Sequence, residues 1–382
     1  STSVLDQLKK FDGKSRTLGV KTTYLEPLSS KWTVIFDYAY NNSNSTSNRN
    51  TFNKSNNGKY EDLDTVFSNN FDLVAASHSG NTLLRLIDKK LRLSLGSGVS
   101  AVQLKLHNLD NKNHNAYNFL NVTPQAQVNY TIKPQNTIGI SYRGTTRQPR
   151  IDQLQPIRDN NDPLNIFQGI PDLKVGFNHS AGFSYYNYKV LKTRYLYFSA
   201  NYNVTQNFIS NYNVIDRSTG KRIYMPVNTN GVKNWYSWAS WQQGEGNKKW
   251  RKSATIDVSG GRNINFTDTA IRSLKDAQKA INNYTNTNFY LGIGYSVTDK
   301  YSFNIRPRVG YSTSGSSLQT ANNLNYYTYG GSADGYLSFG RFEISTDINV
   351  DYRQRLPIFS QNTNIIRWNG TITRKVFKDK SG

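Results

Sequence analysis

The residues able to do chemistry are few and scattered. Four histidines, His78, His107, His114 and His179, share no spacing such as His-x-x-x-His, which sets two imidazoles on one metal ion. Cysteine is absent, and that removes thiolate metal sites, iron–sulfur clusters, disulfides and a cysteine nucleophile. No Ser/His/Asp order and no glycine-rich phosphate loop stands out. The expectation is no enzyme, no cofactor and no metal site. Asn-x-Ser/Thr triplets such as Asn203-Val204-Thr205 follow from an Asn- and Thr-rich composition and carry no weight.

Two sets of residues remain as binding candidates. Arg143, Arg306 and Arg308 fall on the polar side of alternating segments, where a guanidinium can hold an anionic group of a ligand or pair with a carboxylate. The second set lies in one long connection that holds Pro149, Pro156, Pro163 and Pro171, and is therefore stiff and poor in sheet. Its candidates for extracellular contact are Gln148, Pro149, Asp159, Asn160, Pro163, Gly169 and Pro171. Bracing of a rim is the simpler role for this loop; contact with ligand, or folding over a pore, is the functional one.

The elements that must position these groups are strands. Between Arg194 and Thr205, Leu196, Phe198, Ala200, Tyr202 and Val204 alternate with Ser199, Asn201, Asn203 and Thr205, so the two sets occupy opposite faces. The same alternation runs through Ala126–Ile132, Trp32–Tyr40, Phe303–Tyr311 and Phe342–Tyr352. Runs of about ten residues exceed the usual globular strand and suit a tilted strand crossing a bilayer. Tight connections, such as Asp88-Lys89-Lys90, Lys133-Pro134-Gln135-Asn136 and Phe339-Gly340-Arg341, alternate with polar stretches read as long loops at 41–57, 145–178 and 267–288. Short turns on one side and long loops on the other are the layout of a bacterial outer-membrane barrel with its turns in the periplasm. The fold class is therefore all-β, an antiparallel transmembrane β-barrel with about 15 strands in this chain.

Composition agrees. Of 382 residues, 36% are hydrophobic and 13% aromatic, with 26 Tyr and 18 Phe, which excludes disorder for want of apolar side chains. No stretch approaches the roughly 18 apolar residues of a spanning helix. The formal charge is +22, but Lys and Arg are spread through turns and loops rather than gathered in one patch, so nucleic acid is not an expected partner. Outer-membrane lipid and anionic lipopolysaccharide are. Runs such as Tyr185-Tyr186-Asn187-Tyr188 and Tyr326-Tyr327 are read as interfacial girdles.

The segment from Arg147 through Pro149, Asp152, Pro156, Asp159, Asn160 and Pro163 to Ile166 resembles the outer-membrane β-barrel family of TonB-dependent receptors of Bacteroidetes type. It continues as Gly169-Ile170-Pro171-Asp172-Leu173-Lys174, similar to a GNP-x-L-K-P turn, with Ile170 in place of Asn and Val175 in place of Pro. Ser47 to Tyr60 and Trp368 to Phe377 look like the same family. The resemblance implies energised uptake of a ligand across the outer membrane of a Gram-negative bacterium, through a barrel of about 22 strands closed by a plug. Residues 1–382 then form a partial barrel domain, with the plug and the terminal strands outside the segment. TonB becomes a partner through that plug, whose carboxylates offer Arg143, Arg306 and Arg308 their counter-charges. A surface lipoprotein or other protein partner stays open. Competing functions are a non-transporting surface barrel, such as an adhesin, and a soluble all-β binding protein.

Overall fold

The computed structural model describes residues 6–65, 68–110, 112–154, 158–162, 164–190, 193–245, 248–297, 300–320, 323–356, 362 and 364–374, with backbone alone at 158–162, 245 and 248. In chain order the strands begin with β1 (Gln7–Pro27), β2 (Trp32–Lys54), β3 (Tyr60–Leu63), β4 (Asn69–Ile87), β5 (Leu91–Asn108), β6 (His114–Lys133) and β7 (Asn136–Arg147). After a one-turn helix α1 (Ile151–Leu154) come β8 (Arg158–Asp162), β9 (Asn165–Gln168), β10 (Gly176–Lys189), β11 (Arg194–Gln206), β12 (Phe208–Ile215) and β13 (Arg222–Thr229). The last are β14 (Val232–Glu245), β15 (Lys248–Asp268), β16 (Gln278–Val297), β17 (Tyr301–Ser316), β18 (Leu324–Phe339), β19 (Phe342–Arg353) and β20 (Ile365–Arg374).

Fifteen of these strands form one antiparallel meander, β1-β2-β4-β5-β6-β7-β10-β11-β14-β15-β16-β17-β18-β19-β20, each paired with its neighbour in the wall. The count is the one the hairpins imply from sequence. Among the described residues β1 pairs only with β2 and β20 only with β19, so the wall has two long free edges.

Register explains why alternation within strands becomes two faces. Across eleven strands the paired positions read Leu91, Tyr130, Ile138, Tyr185, Phe198, Ala239, Ile256, Phe289, Val309, Tyr329 and Tyr352. The adjacent row reads Arg92, Asn129, Gly139, Ser184, Ser199, Trp238, Asp257, Asn288, Gly310, Thr328 and Arg353. A slip of one residue in any pair would mix the rows, placing polar groups on the apolar side. The first row defines the outer face, which meets lipid; the second defines the inner face.

Aromatic clusters bound the outer face. Near the turns Tyr295 lies 4.8 Å from Trp250, 6.0 Å from Tyr301 and 5.8 Å from Phe303, centroid to centroid. Nearer the loops Tyr311 and Tyr327 are 4.8 Å apart, and Tyr329 and Tyr352 5.6 Å. Tyr301 and Tyr311 stand ten residues apart on β17, about 33 Å along the strand and roughly 25 Å along the normal at a tilt near 40°, which is the height of an apolar band. The girdles thus sit where headgroups begin.

Two expectations need correction. The stretches read as loops at 41–57 and 267–288 are largely strand: Asn41–Asn53 pair with β1 down to Gln7, and β16 begins at Gln278. Above the bilayer both faces of a strand meet water, so alternation disappears from the sequence while the hydrogen-bonded ladder continues. The tyrosine runs are also divided, because consecutive strand residues face opposite ways. Tyr185 is on the outer face. Tyr186 is on the inner one, with Tyr195 at 5.6 Å, while Tyr197 lies between Tyr195, 6.2 Å away, and Trp238, 5.1 Å away. Tyr327 is outward, whereas Tyr326 carries the Arg353 guanidinium 5.8 Å from its ring centroid.

Candidate ligand site at the loop end of the barrel

Seven connections at one end of the wall are short, from 134–135 to 28–31, and those at the other end reach 148–175 and 207–231. The inner face changes character toward the loops. Along β5 the inward positions are Arg92, Ser94, Gly96, Gly98 and Ser100, and then Val102, Leu104 and Leu106. On β6 Asn129, Gln127, Gln125, Thr123 and Asn121 give way to Phe119 and Tyr117. Apolar side chains facing a watery lumen need a cover, and the 148–175 connection provides it. Leu154, 1% exposed, and Leu173 share a cluster with Leu104 and Phe119, flanked by Ile151, Ile170, Val102 and Leu73.

Local bonds shape this cover. The Arg150 guanidinium donates to both carboxylate oxygens of Asp152 at 3.0 and 2.7 Å, and the Arg150 backbone N–H donates to Gln153 Oε1 at 3.0 Å. The Ile170 N–H donates to the Gln153 carbonyl at 2.7 Å, tying the loop's two halves together. Gln148 is exposed and its Oε1 accepts from Asn121 Nδ2 at 3.2 Å, while Pro149 is fully buried, Gly169 buried and Pro171 exposed. Asp159 and Asn160 lie in β8, which pairs with β9; their side chains, and Pro163 entirely, are outside the described residues. Four of the seven loop candidates therefore have a described burial, and only Gln148 and Pro171 of these are open to solvent.

The arginines separate into two kinds. Arg306 donates to Asp334 at 2.7 Å and to Ser332 at 3.2 Å; Arg308 donates to Asp351 at 2.6 Å. Their counter-charges come from the next strands of the wall, where sequence reasoning looked to a separate plug. Arg143 is exposed on the inner face opposite Gln125 and Ser180, and lines a polar groove of about 340 Å³ with Ser79, Asn81, Ser100 and Thr123. Among the described residues it has no carboxylate partner, so it is the candidate with charge to spare.

Sequence reasoning missed the hairpin of β12 and β13. It rises from β11, packs Tyr212, Val214, Met225 and Val227 with Ile264 and Phe266 of β15, and pairs parallel with β15 and, through β13, with β9. The signal was present as short alternation either side of Asp216-Arg217-Ser218-Thr219-Gly220, where Gly220 takes a φ of 72°. At that tip the Ser218 and Thr219 hydroxyls, 2.6 Å from the Asp216 carboxylate, together with the Ser218 N–H, hold the Asp216 pKa down to about 2. Between this hairpin, the 148–175 cover and the 269–277 connection lies a cavity of about 510 Å³, open to the outside. Among the described residues no group of His, Asp and Glu side chains is placed to hold a metal ion.

A long antiparallel wall, apolar outside and polar inside, banded by aromatic girdles and turned tightly at one end only, defines an outer-membrane β-barrel. The chain belongs to the outer membrane protein beta-barrel family, whose model matches residues 3–381. It resides in the outer membrane of a Gram-negative bacterium. Among solved structures it is similar to the copper transporter OprC, at 13% identity and a TM-score of 0.58, over 89% of this chain and 51% of that one. It also matches the siderophore receptor PirA from Pseudomonas aeruginosa, at 10% identity and a TM-score of 0.43, over 94% of this chain and 70% of that one. The chain thus spans about half the length of OprC. No curated protein sequence matches it.

Proposed function

We propose that the chain supplies wall and extracellular mouth to a TonB-dependent receptor of Bacteroidetes type, one that captures a ligand outside and passes it through the lumen with energy delivered by TonB. One observation carries this reading: the 148–175 connection turns inward and seats Leu154 and Leu173 on the inner face of β5 and β6. A barrel that served only as an anchor for loops would have no use for an apolar seat inside its own mouth. Arg143 on the same face, which among the described residues has no carboxylate partner, supports an inward route for an anionic ligand group, or a contact with a plug. The free edges of β1 and β20 belong to the same proposal. In lipid each unpaired backbone group costs roughly several kcal/mol, and in this reading strands of the same protein or of a second copy pair with these edges.

The test uses the full-length gene product purified from outer membranes. Its intact mass should exceed 43.5 kDa, and the periplasmic domain of TonB should bind it. A product near 43.5 kDa that inserts as a folded monomer and ignores TonB would end the proposal.

A further inference from the structure

We infer that the cavity at the mouth is a binding site for an uncharged, largely apolar small molecule, or for such a group on a larger ligand. The inference rests on the receptor reading for the direction of arrival and deepens it by naming the chemistry that the mouth selects. Tyr212, Met225 and Val227 form the floor, with Ile170, Ile271 and Leu274 around them. A volume of about 510 Å³ lies within the range of small-molecule sites, which are mainly apolar with a few fixed polar groups. Ile271 is 60% exposed and Leu274 41%, on a connection outside the lipid, where large apolar side chains gain from being covered.

The uncharged polar groups at the floor of the lining shape the ligand's character, because they are already engaged. Tyr212 Oη donates to the Ala270 carbonyl at 3.2 Å and accepts from the Arg272 N–H at 3.0 Å. The Asn228 amide accepts from the Lys174 N–H at 2.7 Å and donates to the Lys174 and Asn207 carbonyls, both at 2.9 Å. Arg272 Nε faces the buried Asp268 carboxylate at 3.4 Å, and the other two charged residues of the lining, Lys174 and Asp172, are exposed and opposite in sign, so together they add no net charge. A ligand's carboxylate or ammonium would lose its water and find no surplus charge in return. Apolar area is what the cavity has to offer, and Met225, the chain's single methionine, lets the floor adapt to shape. The site differs in kind from the groove around Arg143, which suits an anion.

The probe is 3-methylindole, compared with indole-3-acetate and tryptamine, which share its ring system and add one charge of either sign. Equilibrium dialysis against the full-length protein in lipid nanodiscs, with empty nanodiscs subtracted, should show saturable binding of 3-methylindole and at least tenfold weaker binding of both charged analogues. Met225→Trp fills the cavity and should weaken 3-methylindole at least tenfold. Ile271→Ser, at an exposed position that folding does not depend on, should weaken it severalfold while heat-modifiable mobility on gels stays unchanged. No saturable binding, a preference for the acid or the amine, or binding indifferent to both substitutions would overturn the inference. TonB binding measured on the same preparations separates the two ideas, since 3-methylindole binding without TonB binding sinks only the uptake reading.

Discussion

Arg308 on β17 and Asp351 on β19 meet at 2.6 Å across the strand between them, because the residue that separates them on β18 is Gly330. A side chain there would occupy the space above which the two groups join. The backbone is as tight as the surface: a Cβ on Gly330 would stand 2.0 Å from the Val350 carbonyl oxygen.

Gly330→Ala should therefore destabilise the wall by about 1–3 kcal/mol through forced displacement of β19. Asp351→Asn leaves the backbone untouched and, since the pair is part-exposed, should cost about 1 kcal/mol or less. Urea titration of both variants in lipid vesicles gives the comparison. A larger loss for Asp351→Asn than for Gly330→Ala would refute the steric argument.

Phe198 faces lipid, with the Phe183 ring 5.8 Å away, and Asn201 faces inward on the same strand. Phe198→Arg should cost about 2–4 kcal/mol near the membrane midplane, and Asn201→Arg much less. Equal costs in a vesicle folding assay would mean that the faces have been assigned wrongly.

How much of this was legible follows from where water lies. Within the bilayer Phe198 and Asn201 meet different solvents, so their types alternate and both faces could be read from the sequence, along with the count of wall strands. Asn41 and Gln278 lie in strand above that level, where selection for polarity acts on both faces and the pattern fades. The candidate site was harder still. Leu104 and Leu154 are far apart in sequence, and nothing local to either says that an inward apolar stripe and a proline-rich connection fit together. Arg306 and Arg308 alternate with Ile305 and Val309 in the sequence, but Asp334 and Asp351 become their partners only through register.

Leu154→Ala should release the cover from its seat. A buried Leu→Ala change costs about 2–5 kcal/mol, and here the loss falls on the docking of the 148–175 connection rather than on the wall. Limited proteolysis should cut within 148–175 at least tenfold faster than in the unaltered protein, while heat-modifiable mobility stays the same. An unchanged cleavage rate would show that other contacts hold the loop.

The tip of the β12–β13 hairpin should respond to acid. The folded pKa of Asp216 is lowered to about 2 from an ordinary 3.8, so its stabilising bonds are intact above the unfolded value and are lost as pH falls through the folded one. The tip should hold at pH 5 and loosen between about pH 4 and pH 2. Hydrogen exchange at Ser218 and Thr219 reads the transition, and Asp216→Asn should abolish its pH dependence. A transition of the same midpoint in that variant would assign it to another group.

The length of the strands sets how a visiting molecule leaves. β2 has 23 residues, and at about 3.3 Å each and a tilt near 40° it rises roughly 58 Å, more than twice the apolar band. The excess stands above the bilayer as a palisade at the same end of the wall as the cavity. A molecule that dissociates from the cavity toward the lumen is fenced by neighbouring strands and collides with the site again before it escapes sideways. Residence time at the mouth is thus governed by confinement as well as by contact energy, and shortening β1 and β2 above the headgroups would speed escape without altering one contact in the cavity.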